Sequence, residues 1–204
     1  MRTSIVLALL VALALPASAQ RGARSNTDGL FLQIALDAQG LRYDGETFDD
    51  EDEGSGASVR VGYGISPGFT LYGGLAGSRI ESERGGEYAL GAGELGARFN
   101  FNEGRRLRPY FDVALRGVVA RDDDLDFELS GGELALGGGV AYFLSPTVAI
   151  DASLKLGGGE FEEVQFGRLA VDLDDEDLRF GEARVSVGLT TYPFRERNRR
   201  HRWR

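Results

Sequence analysis

The sequence predicts an all-β fold, an eight-stranded antiparallel up-and-down transmembrane β-barrel. Three observations carry that reading. First, long segments alternate with a period of two, apolar residues on one face and polar or small residues on the other. The clearest sets Ala183, Val185, Val187 and Leu189 against Arg184, Ser186 and Gly188, and Tyr192-Pro193-Phe194 closes it. Second, the chain has no cysteine, and past residue 19 no apolar run nears the roughly 20 residues of a membrane helix. Third, the connections between the dyad segments alternate between short and long, as they do in a barrel with both termini on one side.

Residues 1–19 stand apart from the fold. Met1-Arg2 is a short positive start, Ile5 to Leu15 an apolar run, and Pro16-Ala17-Ser18-Ala19 a small-x-small cleavage pattern. Together they predict a cleaved signal peptide, too short for a comfortable membrane span. The barrel domain is assigned to 20–194 and a basic periplasmic tail to 195–204.

The strands are expected at 29–43, 56–65, 69–80, 88–101, 109–120, 132–144, 147–158 and 178–194. In the first, Leu30, Leu32, Ile34 and Leu36 share a face opposite Gln33 and Asp37. The second sets Val59, Val61, Tyr63 and Ile65 against Arg60, Gly62 and Gly64. The third and fourth carry Phe69, Tyr88, Phe99 and Phe101 near their ends. The fifth opposes Phe111, Val113, Leu115 and Val119 to Asp112 and Arg116. In the sixth, Leu134, Leu136, Val140 and Tyr142 oppose Glu133 and small residues. The seventh sets Val148, Ile150, Leu154 and Leu156 against Asp151, Ser153 and Lys155. Many of the 30 glycines fall inside these patterns, where they let neighbouring chains crowd together.

Ser66-Pro67-Gly68 and Ser145-Pro146 predict tight turns, and Asn102 to Arg108 a modest one. Long polar loops are expected near 44–55, 81–87, 121–131 and 159–177. Val164 to Leu173 could instead form an extra hairpin and give ten strands, but a protruding loop is the preferred reading. These four segments hold about 23 of the 32 acidic residues. Arg105, Arg106, Arg108, Arg21, Arg24 and the six arginines of the tail lie at the other end. The net charge of −9 therefore hides an acidic end and a basic end.

The leader, the eight dyad strands, the acidic loops and the terminal Thr191-Tyr192-Pro193-Phe194 resemble the small outer-membrane β-barrel proteins, the group of the OmpA-like transmembrane domain. The resemblance covers the whole mature chain as a pattern. It implies an outer-membrane location and assembly through an aromatic-ended last strand. No peptidoglycan-binding domain follows here, so that activity of the family does not carry over.

The inward faces gather Asp37, Arg60, Glu94, Arg98, Asp112, Arg116, Glu133, Asp151, Lys155, Glu182 and Arg184. In a narrow barrel these predict an interlocked structural network that fills the lumen. A small porin or transporter lined by mixed charge is the first alternative. The second is a soluble periplasmic, lipocalin-like barrel around an apolar ligand, which needs the apolar faces inside. Tyr63, Phe69, Tyr88, Phe99, Phe101, Tyr110, Tyr142 and Phe194 are expected to form an interfacial aromatic girdle that favours the membrane version.

No cofactor, catalytic site or specific metal site is expected. Gly91-Ala92-Gly93-Glu94-Leu95-Gly96 matches GxGxxG, but a strand continues through it and no helix follows to hold a pyrophosphate. The sole histidine, His201, lies in the tail, and Ser130, Ser153 and Ser186 have no evident base. The expected partners are outer-membrane lipid and lipopolysaccharide, with weak divalent cations at the acidic loops. The tail suggests anionic headgroups rather than nucleic acid, with Trp203 at the interface, or a solvated end. The barrel is read as a monomer.

Overall fold

Strand pairing closes the chain on itself. The computed structural model describes residues 25, 27–45, 48–82, 86–122, 127–166, 169–172 and 178–193. Among them run nine strands: β1 (Gly29–Gly45), β2 (Phe48–Ser66), β3 (Phe69–Glu81), β4 (Glu87–Asn100), β5 (Leu107–Asp122), β6 (Phe127–Phe143), β7 (Val148–Phe166), β8 (Leu169–Asp172) and β9 (Leu178–Thr191). Each pairs antiparallel with its neighbour from β1 to β7, and β9 joins β7 to β1. Eight strands thus make a closed wall without edges, while β8 pairs with β7 alone. No helix among the described residues is long and apolar enough to cross a membrane. The leader, the tail, His201 and Phe194 lie outside the described residues.

The short turns fall where they were expected. Pro67-Gly68 links β2 to β3, and residues 101–106 link β4 to β5 around Asn102 and Gly104, at φ of 55° and 77°. Between β6 and β7 the Ser145 hydroxyl accepts from the Val148 N–H at 3.1 Å. At the opposite end the expected long loops are mostly strand. The β1–β2 ladder runs on to Gly45↔Phe48, β5–β6 to Asp122↔Phe127, and β7–β8 to Phe166↔Leu169. Residues 164–166 and 169–172 therefore pair as strands rather than forming a plain loop, but they extend the wall upward and add no barrel strand. Acidic and glycine-rich sequence has low strand propensity, yet each extension only lengthens a ladder already nucleated below it. β2 and β7 reach 19 residues each, well beyond the 9–11 that cross a bilayer.

The faces segregate as the dyads require. Leu36, Leu75, Leu95 and Leu115 are 67–74% exposed on the outer wall, while Arg60, Arg98 and Asp112 are 1% exposed inside. An apolar outside around a charged inside is the reverse of a lipocalin-like barrel, so that alternative is overturned. Phe69 and Phe99 lie in register, their rings 5.2 Å apart, and with exposed Phe101, Phe111 and Tyr63 they band the outer wall near the short turns. Tyr88 and Tyr110 are corrections to the expected girdle. Each shares the phase of an inward charge, Glu94 and Asp112, and each turns into the barrel.

Candidate functional site

Everything chemically distinctive among the described residues lies in the lumen, and it is layered. All eleven predicted charges, from Asp37 to Arg184, are at most 6% exposed. The phase of each strand puts them there, because residues two apart share a face. Their level within the barrel follows from strand register.

Nearest the short turns, Arg98 on β4 forks onto Asp112 of β5, directly opposite in register, at 3.0 and 3.1 Å. Its other amine reaches Asp151 on β7 at 3.3 Å, and its guanidinium lies 3.7 Å from the centroid of the Tyr110 ring. Tyr110 donates its hydroxyl to Asp151 at 2.6 Å. In the middle, Arg60 pairs with Glu94 and donates to Gln33 at 2.9 Å. Lys155 reaches Glu94 at 3.2 Å and the Tyr72 hydroxyl at 3.1 Å. Above them Arg116 bridges Glu133 and Glu182, both at 2.6 Å. Arg184 Nε lies 2.7 Å from Glu182 Oε1 as an ion pair off the hydrogen-bonding direction.

The structure joins ten of the eleven predicted charges in these pairs. Asp37 is the exception: it is buried in the lumen with no hydrogen bond to either carboxylate oxygen.

Sequence reasoning missed two apolar layers that bracket the charges. Phe31, Tyr72, Tyr110, Phe143 and Tyr192 pack together with Ala141 and Ala149 at the short-turn end. Leu41, Ile80, Leu90, Val118, Phe161 and Phe180 pack with Ala120 at the long-hairpin end. Tyr43, partly buried against that layer, shares a 2.6 Å hydrogen bond with Tyr88, whose hydroxyl also reaches buried Asp52 at 3.0 Å. Below the lower layer, buried Arg108 holds the Thr27 hydroxyl at 2.8 Å and the Pro67 carbonyl at 2.6 Å. The signal for these residues was their phase: Phe31 has that of Gln33, Ile80 that of Tyr72, and Phe180 that of Glu182.

Inward glycines make room for the long side chains. A Cβ on Gly157 would overlap the Glu133 carboxylate, and one on Gly96 would strike the Tyr72 ring. Gly157→Ala is therefore expected to push Glu133 off Arg116 and destabilise the barrel by about 1–3 kcal/mol, as overpacking does. Urea unfolding of the variant in lipid vesicles measures it. The GxGxxG stretch lies wholly inside β4, so no helix terminus is present at it.

The acidic run at 49–53 lies on β2 rather than in a loop. Alternation sends Asp52 inward and leaves Glu53 exposed, so these two carboxylates do not share one face. Asp123, Asp124 and 174–177 lie outside the described residues.

A closed eight-strand wall, apolar outside and charged within, is the frame into which known proteins can be set. Residues 5–190 match the outer membrane protein beta-barrel domain. The chain belongs to that family. Among solved structures, this outer membrane β-barrel is similar to Neisserial surface protein A, NspA, with 17% identity and a TM-score of 0.53 over 79% of this chain and 96% of that one. It is also similar to OprG from Pseudomonas aeruginosa, with 9% identity and a TM-score of 0.51 over 83% and 98% of the two chains. At such identities the likeness is one of fold. No curated protein sequence matches this member of the family.

Proposed function

We propose that this outer-membrane barrel is a passive anchor with a sealed lumen, presenting acidic hairpins outside the cell. The observation that carries the reading is the stacking of the lumen, with charged layers closed above and below by apolar layers. Pairing satisfies most of the buried charge inside, and apolar side chains pack together at both ends, which opposes a wet path through the lumen. The leader is cleaved after residue 19, the short turns and the basic tail face the periplasm, and the protein is a monomer without catalytic activity.

At the long-hairpin end, exposed Glu53 and Glu81 face each other in register, with Glu87, itself paired with Arg79, next across the ladder, and they form an acidic patch. Divalent cations bridge these carboxylates weakly to lipopolysaccharide phosphates, since hard cations favour clustered oxygen ligands. Removing calcium and magnesium with a chelator is then expected to reduce the lipopolysaccharide that co-purifies with the protein.

Planar-bilayer recording separates the sealed barrel from a small porin. The expected result is no stepwise conductance from reconstituted protein across a range of voltages. Reproducible unitary steps, absent from protein-free bilayers, would overturn the sealed lumen.

A further inference from the structure

Among the eleven predicted lumen charges, Asp37 is the one left over. The other predicted charges pair off among themselves: Arg60 and Lys155 on Glu94, Arg98 on Asp112 and Asp151, Arg116 on Glu133 and Glu182, and Arg184 on Glu182. Those groups carry as many positive as negative charges, and Asp37 adds one more carboxylate. Arg184, whose strand position faces Gln39 two residues from Asp37, lies within electrostatic reach of it but is ion-paired with Glu182 and hydrogen-bonds neither Asp37 oxygen.

Three polar atoms near Asp37 are also without a hydrogen bond. Ser186 faces it directly across the β1–β9 ladder, and Ser58 lies two residues along β2 from its other partner, Gly56. Both hydroxyl oxygens are buried without a hydrogen bond, as is the amide nitrogen of Gln39. A buried carboxylate left without a hydrogen bond is costly, so native structures satisfy such groups with protein, water or an ion. The alternating phase of β1, β2 and β9 aims these side chains into the same level of the lumen.

We propose that Asp37, Ser58 and Ser186 bind one small monovalent cation of the sodium class. One carboxylate with neutral oxygens matches a single positive charge, whereas a divalent ion calls for more carboxylates. No group of three or more acidic or histidine side chains among the described residues could hold such a metal. Water on the ion gives the Gln39 amide its acceptor. Because apolar layers close both ends, the ion is taken up as the barrel folds and then trapped.

The test refolds the full mature chain into zwitterionic vesicles containing sodium chloride or choline chloride at equal ionic strength. The thermal midpoint is expected to rise saturably with sodium and to stay flat with choline. Asp37→Asn is expected to abolish the sodium dependence. Ser186→Ala, a milder change, is expected to raise the half-saturating sodium concentration roughly tenfold, as loss of one ligand would. Equal responses to sodium and choline in the wild type would overturn the site without recourse to any variant. A sodium response that survives Asp37→Asn unchanged would overturn it as well.

Discussion

Replacing Arg98 with methionine is expected to cost about 3–5 kcal/mol of unfolding free energy in lipid vesicles, the penalty for stripping a buried carboxylate of its cation. The geometry explains the size. Arg98 is 1% exposed, forks onto Asp112, reaches Asp151 and stacks on Tyr110, so its loss leaves two carboxylates in the lumen with no compensating charge. Arg98→Lys keeps the charge but loses the planar fork and the stacking, and falls between the two. Adding Asp112→Asn and Asp151→Asn to the methionine variant is expected to recover most of the loss, because the neutral amides need no counter-charge. The exposed pair Arg79–Glu87 supplies the contrast, with side chains 78% and 57% exposed. Arg79→Ala is expected to change stability by less than about 1 kcal/mol. Equal costs at Arg98 and Arg79 would contradict a desolvated lumen network.

Leu95→Arg carries the second large effect, on the other side of the same wall. Leu95 is 73% exposed, faces Gly73 and Leu115 in register, and stands one residue from Glu94 at the level of the central ion pairs. An arginine there would meet the middle of the hydrocarbon layer and cost about 2–4 kcal/mol. The same change at Ile65, beside the short turn, would sit near the interface and cost about 0–1 kcal/mol. The comparison is made by equilibrium unfolding in bilayers. Leu95→Arg tolerated as well as Ile65→Arg would mean that water, not lipid, covers the wall.

Much of this was legible because a strand has only two faces. Once Leu32, Ile34 and Leu36 were placed outside, Gln33 and Asp37 had to be inside, and the same step placed all eleven lumen charges. Several features escaped. Tyr110 and Tyr88 were read as girdle residues from their nearness to strand ends, although the phase they share with Asp112 and Glu94 places them inside. The same rule, applied to Phe31, Ile80, Val118 and Phe180, would have revealed the apolar layers that close the lumen. The strand extensions at 49–55 and 159–166 were hidden for a different reason. Their acidic and glycine-rich composition reads as loop, and only pairing with strands already in place makes them strand. Which charge meets which partner was also beyond the sequence. Arg98 opposite Asp112 depends on register, and Arg98 to Asp151 spans the lumen.

The most direct measurement is gel mobility of the protein from isolated outer membranes, with and without boiling in detergent. A closed barrel of paired strands resists the detergent cold and is expected to run as a compact band that shifts only after boiling. That band belongs in the outer-membrane fraction. Recovery from the soluble periplasmic fraction, or mobility unchanged by heat, would contradict a lipid-embedded barrel with a sealed, ion-paired lumen.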